Sequence, residues 1–271
     1  EAFHLLVRFL LQKVVISSGL GSNLVDGVFA DPQGHSSLDV LFGVYGYAIQ
    51  IYADFSGYTD IAIGCALLLG FRFPVNFDRP YGALSLRDFW RRWHITLSSW
   101  LRDYLYIPLG GNRGRTADMY RNVLITMLLG GLWHGSTWNF VVWGAIHGAA
   151  LIVERSLPTG RLHPIIRWAL TFHVVCFAWI FFRAESVSGA WDLVSVIAGF
   201  SADTQRLNAG VVLVVVAAIA VQFVTKSASA RLVHWISRWP AMVHGIAFGI
   251  GLVAIDMMGP EGIAPFIYFQ F

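Results

Sequence analysis

Long uncharged runs alternate with short polar links along this chain. Residues 40–53 and 61–71 are apolar, with Asp54-Phe-Ser-Gly-Tyr-Thr-Asp60 between them. Residues 122–153 contain no Asp, Glu, Lys or Arg; 168–182 are interrupted only by His173, 209–225 are uncharged, and 241–255 carry only His244. A membrane-spanning helix needs about 20 mostly apolar residues, so the pattern predicts an all-α polytopic membrane protein of roughly six or seven spans, some short or broken. Polar links are expected near 154–167, 183–192, 201–208 and 226–239. Residues 2–16, apolar but for Arg8 and Lys13, read as the end of another span or an interfacial helix, and do not resemble a signal peptide. No repeat or composition shift divides the chain, so residues 1–271 read as one transmembrane domain.

The run 122–153 is too long for one crossing. As a straight helix it would extend about 48 Å, against a hydrocarbon core of about 30 Å. Gly130-Gly131 and Gly135-Ser136 lie near its middle and Asn139 follows, which predicts two helical pieces meeting at a break. Irregular backbone at membrane depth is tolerated only against protein or a watery cavity, and His134 lies at that break. The Asp54–Asp60 stretch predicts a second broken helix, with Gly57 at the break and the two aspartates capping its pieces.

Residues 85–105 have a different pattern. Ser85 and Asp88 fit a capping box. Leu86, Trp90, Trp93, Leu97, Trp100, Leu101 and Tyr104 then recur at helical spacing, opposite a stripe of Arg87, Arg91, His94, Ser98 and Arg102. That predicts one amphipathic helix with a cationic face, lying at an interface or along a cavity wall. Pro108 and the Gly110-Gly111-Asn112-Arg113-Gly114 turn end it; no strand and no phosphate-loop lysine accompany these glycines.

Composition agrees. Hydrophobic residues make up 56% of the chain, charged residues 13%, and mean hydropathy is +0.60; soluble domains carry about 25% charged residues. A disordered chain, a collagen-like chain and an ordinary cytosolic enzyme are excluded. Net charge is +3, and residues 78–115 alone hold seven arginines and three aspartates, so all the basicity sits in that segment. Its membrane-like flanks argue against nucleic acid. Cys65 and Cys176 make neither a disulfide framework nor a cysteine-based zinc site, and read as small buried hydrophobes. No Gly-x-Ser-x-Gly elbow, His-Glu-x-x-His or Cys-x-x-Cys occurs, so covalent serine chemistry and zinc hydrolysis have no support, and no metal is expected.

An ionisable group inside a span is a functional candidate because burying it is costly. His134 meets that test best: a desolvated imidazole stays neutral, as a general base must. A hydrogen bond between helices is its other reading. His94 shares a face with Arg91 and reads either as a group that polarises a carbonyl or as an interfacial histidine. Arg87, Arg91 and Arg102 suit a phosphate-bearing ligand and, equally, anionic lipid headgroups on a cytoplasmic face. His147, His173 and His244 read as interhelical hydrogen-bonding residues.

The same stretches resemble the membrane-bound O-acyltransferases, and within them the alginate O-acetylase type. The resemblance rests on Asp54–Asp60, Asn76-Phe-Asp-Arg-Pro-Tyr81, Arg87-Asp-Phe-Trp-Arg-Arg-Trp-His-Ile-Thr-Leu97, Tyr104-Leu-Tyr-Ile-Pro-Leu-Gly-Gly-Asn112, Gly131-Leu-Trp-His-Gly135, Trp143-Gly-Ala-Ile-His-Gly148 and Pro265-Phe-Ile-Tyr-Phe-Gln-Phe271. It implies a multi-helix bundle with broken or re-entrant helices around a central tunnel. It also implies further helices before residue 1, of which this chain would be the C-terminal portion. The implied reaction is acyl transfer from a thioester donor to a hydroxyl, with His134 as principal catalytic residue and His94 as its partner. Arg87, Arg91, Arg102, Trp133 and Asn139 are the expected substrate contacts. The implied donor is acetyl-coenzyme A or an acylated carrier on the cytoplasmic side, with no bound cofactor. Implied partners are membrane lipid, a polysaccharide acceptor and a periplasmic or extracellular acetyltransferase, in a bacterial inner membrane. Transfer of D-alanine to teichoic acid by the same fold, an acyl conduit, and a non-catalytic scaffold in a polysaccharide-secretion complex are the rival readings.

Overall fold

The computed structural model describes residues 9, 11–157, 162–201 and 207–258, and they contain helices and no strand. After two π-helical segments, Leu11–Ser18 and Gly21–Val25, the helices are α1 (Asp26–Ala30), α2 (Ser37–Leu68), α3 (Leu86–Arg92) and α4 (Ile95–Leu101). Then follow α5 (Thr116–His134), α6 (Trp138–Ser156), α7 (Pro164–Arg183), α8 (Val187–Ala198), α9 (Ala209–Val221), α10 (Lys226–Ser237) and α11 (Ala241–Met258). The motif 265–271 and most of the run 2–16 lie outside the described residues.

The break in the 122–153 run is where the glycines place it. The chain turns between α5 and α6 at Gly135–Thr137, with His134 as the last residue of α5. The two helices then pack against each other as a hairpin. Glycine sets how closely they approach. A Cβ on Gly131 would lie well inside van der Waals contact distance of the Phe140 carbonyl oxygen, and one on Gly144 inside that of the Met127 carbonyl oxygen.

The other expected break is absent. α2 runs unbroken through Gly57 for 32 residues. One glycine costs a helix only about 1 kcal/mol, and a Cβ on Gly57 would meet Gln12 and the Phe9 ring at an ordinary contact distance of 3.4 Å. Asp54 and Asp60 therefore cap nothing. Asp54 is 1% exposed and pairs with Lys13 of the first π-helical segment, while a capping box of Ser36 and Asp39 starts the helix.

The 85–105 segment departs from expectation in the opposite sense. It is two short helices with Trp93 and His94 between them, His94 taking the left-handed conformation at φ 44°, followed by a π-helical turn, Arg102–Tyr106. Asn76 is the cause. Its side-chain oxygen accepts from the Thr96 N–H (3.2 Å) and hydroxyl (3.0 Å), and its carbonyl accepts from the Ile95 N–H (3.0 Å). These bonds satisfy the start of α4, so the chain can turn without orphaned donors. The capping box is also half formed: the Asp88 N–H donates to Ser85 Oγ (3.0 Å), but the Asp88 carboxylate pairs with Arg92 (2.8 Å). Glu154 of α6 completes the cap, accepting from the backbone N–H groups of Leu86 (2.5 Å) and Arg87 (3.4 Å).

Tyr81 ties the loop 76–82 into the core. Its hydroxyl donates to the Ala48 carbonyl of α2 (2.6 Å) and accepts from Trp179 Nε1 of α7 (3.2 Å), while its carbonyl accepts from Trp168 Nε1 (2.8 Å). Partial burial works against the charge of Asp78, yet Lys226 (2.7 Å) and Arg79 (3.1 Å) hold its carboxyl below the ordinary carboxylate range.

Fewer helices read as spans than the six or seven expected. Among the described residues, α7 alone is long and apolar enough to cross a membrane by length and composition; α9 and α10, bent by 106° at their junction, make a second candidate if they count as one span. Buried polar residues such as Asp39, Asp54 and Asp60 lower the hydropathy of α2. Two expected links are largely helical, 226–239 as α10 and 183–192 as the start of α8, and residues 202–206 of a third lie outside the described residues. Cys176 is buried as expected, but Cys65 is exposed.

Candidate active site

His134 ends α5 because Gly135 leaves the helix in an extended conformation (φ 172°). The imidazole stands among aromatic rings: Trp133, Trp143 and Phe182 each lie 5.1 Å from it, centroid to centroid, and all three contacts are edge-on. Trp133, 58% exposed, reaches the second histidine as well, at 6.2 Å from the His94 ring.

His94 is buried, and so is not on the cationic stripe. The left-handed turn directs it inward, where Nδ1 pairs with Asn76 Oδ1 (3.2 Å) and the ring packs edge-on against Phe55 (4.7 Å). Phe55 follows Asp54, so the Asp54–Asp60 motif supplies a wall of this site. His94 lies on the junction between α3 and α4, outside any spanning segment, and burial pushes its imidazole down to about 4. A depressed imidazole favours folding while neutral. Its contribution is complete above the ordinary value near 6.5 and is lost as pH falls through that value toward about 4. The thermal midpoint is therefore expected to fall between pH 7.5 and 5 for the wild type, and by less for His94→Gln, as followed by scanning fluorimetry.

The arginines lie elsewhere. Arg87, Arg91 and Arg102 line one cleft of about 540 Å³, together with Trp90, Glu154 and Arg155. Arg102 pairs with Asp103 (2.7 Å), and Arg155 reaches Asn112 (3.5 Å). Arg87 and Arg91 make no ion pair among the described residues. The predicted residues thus fall into two groups: Trp133 and His134 at the helix break with His94 reached by the Trp133 ring, and the three arginines in the cleft. Asn139 joins neither. It is buried, and its amide donates to the Ala184 carbonyl (2.5 Å), tying α6 to the end of α7.

Of the other histidines, His173 makes the expected interhelical bond, its Nε2 lying 2.8 Å from the Tyr45 hydroxyl of α2. Among the described residues, His244 bonds to Pro240 O, one turn back (3.2 Å). His147 is fully buried with neither ring nitrogen hydrogen-bonded. Sequence reading missed Asn76, Phe55 and Glu154 as parts of these sites. The motifs Asp54–Asp60 and Asn76–Tyr81 and the acid closing the 122–153 run were their signals.

Residues 40–191 match the family model described as the membrane-bound O-acyltransferase family. The chain is 48% identical over 195 residues to a probable alginate O-acetylase of Azotobacter vinelandii, covering 70% of this chain and 38% of the relative. It is 42% identical over 198 residues to a peptidoglycan O-acetyltransferase of Helicobacter pylori, covering 71% and 37%. It is 30% identical over 162 residues to a teichoic acid D-alanyltransferase of Bacillus subtilis, covering 54% and 41%. The chain thus spans about two fifths of the length of each of these relatives, and the family-model match, residues 40–191, contains His94, His134 and the arginine cleft. With the family model matched across more than half of its length, the chain belongs to the membrane-bound O-acyltransferase family.

Proposed function

We propose that this chain carries the catalytic part of a multi-pass bacterial inner-membrane O-acetyltransferase that modifies an alginate-type secreted polysaccharide. The observation that carries the reading is the placement of His134 at a helix break, joined through Trp133 to His94. The two O-acetylating relatives, more identical to this chain than the D-alanyl one, support acetyl as the group moved.

The donor is a thioester on the cytoplasmic side, acetyl-coenzyme A or an acetylated carrier, whose phosphate lies on Arg87, Arg91 and Arg102. His134 takes the acceptor hydroxyl proton as that oxygen attacks the acetyl carbon. The C–S bond then breaks, and His134 returns the proton to the leaving thiolate. A placed general base contributes about 10² to 10⁴ in rate. His94, neutral and held by Asn76, positions the thioester carbonyl. The acceptor hydroxyl belongs to the polymer, presented to the site with a periplasmic acetyltransferase partner.

Arg87→Ala combined with Arg91→Ala tests the donor half. Charge-assisted hydrogen bonds to phosphate contribute about 1.5–3 kcal/mol each. The double variant is therefore expected to raise the KM for acetyl-coenzyme A by at least about tenfold with kcat little changed. An unchanged KM would remove the phosphate role from this cleft and leave its arginines to lipid headgroups.

A further inference from the structure

We propose that Asn76 fixes His94 as the tautomer protonated on Nδ1, so that Nε2 meets the donor as a hydrogen-bond acceptor and holds the amide N–H of its pantetheine arm. The inference rests on the acyltransferase reading above and specifies how His94 positions the thioester.

The tautomer follows from the bonds on one oxygen. The Asn76 side-chain atom facing Thr96 accepts from a backbone N–H (3.2 Å), which only the oxygen of the amide can do. The Thr96 hydroxyl donates to the same oxygen (3.0 Å). His94 Nδ1 lies 3.2 Å from it. A carbonyl oxygen accepts and never donates, so Nδ1 carries the hydrogen of that bond. Burial keeps the imidazole neutral, and a neutral imidazole has a single N–H. Nε2 therefore keeps its lone pair. Phe55 packs edge-on against the ring at 4.7 Å and 88°. Turning the ring over would place Cδ2 against the Asn76 oxygen and forfeit the bond.

An imidazole in this form does not polarise a carbonyl, because its second nitrogen has no hydrogen to give. It takes a hydrogen from the substrate instead. The acceptor hydroxyl has a single hydrogen, which goes to His134 in the proposed transfer. The thioester group has none. In a coenzyme A or carrier thioester the nearest is the amide N–H two carbons beyond the sulfur. Arg91 and Ile95, on either side of His94 in sequence, line the arginine cleft. The junction that carries His94 thus borders the place proposed for the donor phosphate. Beyond it, Trp133 lies 6.2 Å from the His94 ring and 5.1 Å from that of His134. An amide held at Nε2 fixes the sulfur, and with it the acetyl carbon, on the His134 side of the junction.

The first test reads the tautomer directly and needs no substrate. Full-length protein with ¹⁵N-labelled histidine is placed in bilayers, and the His94 signals are assigned by their loss in His94→Phe. Solid-state NMR is expected to show a protonated Nδ1 and a bare Nε2. Asn76→Asp keeps an acceptor oxygen and is expected to preserve that pattern, while Asn76→Leu is expected to let the Nε2-protonated form appear. A wild-type His94 protonated on Nε2 would overturn the proposal. The second test compares the binding of S-ethyl coenzyme A with that of its analogue carrying an ester oxygen in place of the amide N–H nearest the sulfur. The analogue leaves a buried acceptor without its hydrogen, so wild type is expected to bind it at least about tenfold more weakly, and His94→Phe to bind the two within about twofold. Equal binding by wild type, or a preference that persists in His94→Phe, would overturn the amide contact. So would His94→Phe weakening mannuronate oligosaccharides alone, which would give Nε2 to a sugar hydroxyl. A wild type that binds neither analogue would also overturn the contact, and the nitrogen signals would still decide the tautomer. One that turns over no thioester would refute the acyltransferase reading itself.

Discussion

His134→Ala is expected to lower kcat for acetyl transfer by about 10² to 10⁴, the range a positioned general base supplies, with little change in the KM for the donor. The separation follows from the geometry. The groups proposed to hold the donor phosphate line a cleft that His134 does not border. Trp133, Trp143 and Phe182 hold the imidazole at the end of α5 and stay in place when it is removed. His134→Gln keeps a polar side chain but no basic nitrogen, and is expected to be equally slow. A fall in donor affinity without a fall in kcat would make His134 a binding residue instead. An acyl group trapped on its ring would make it the nucleophile.

The second large effect concerns the hairpin that carries His134. Gly131→Leu or Gly144→Leu would drive a side chain into the backbone of the facing helix, where no rotamer change relieves it. Forcing extra atoms into a packed interface typically costs about 1–3 kcal/mol where side chains can give way. Here a carbonyl is in the way, so α5 and α6 must separate and at least that cost applies. Total stability of folded domains is only about 5–15 kcal/mol. Both variants are expected to lose most of the monodisperse protein recovered in detergent, or to show a markedly lower thermal midpoint. Gly130→Ala is the contrast: its Cβ would meet only the flexible Leu101 side chain, at 3.2 Å, and near-normal yield is expected. Equal tolerance at all three positions would mean that the helices do not approach as described.

The difference between these glycines and Gly57 shows how far the chain could be read from its own pattern. An uncharged run longer than a bilayer had to break, and the glycines near its middle gave the place; His134 followed. The basic stripe was legible too, because Arg87, Arg91 and Arg102 share a face even across two short helices and meet in one cleft. Gly57 was misread because periodicity does not show that Phe9 and Gln12 would pack on it. His94 was placed on the wrong face for the same reason: the Asn76 side chain, 18 residues away, reverses the backbone. Lys226–Ser237 was taken for a link because its low hydropathy hides a helix N-capped by Thr225. What escaped in each case was a contact made at a distance along the chain.

The central claim is that His134 carries the transfer. The most direct measurement expresses wild type, His134→Ala and His94→Ala of the full-length protein at matched membrane levels, in a host lacking its own copy, and quantifies O-acetyl groups on the secreted polysaccharide. Polymer export is expected to be unchanged and acetyl content lost, most severely for His134→Ala. Acetylation at wild-type level in His134→Ala would contradict it and make the chain a conduit or scaffold for a transfer performed elsewhere.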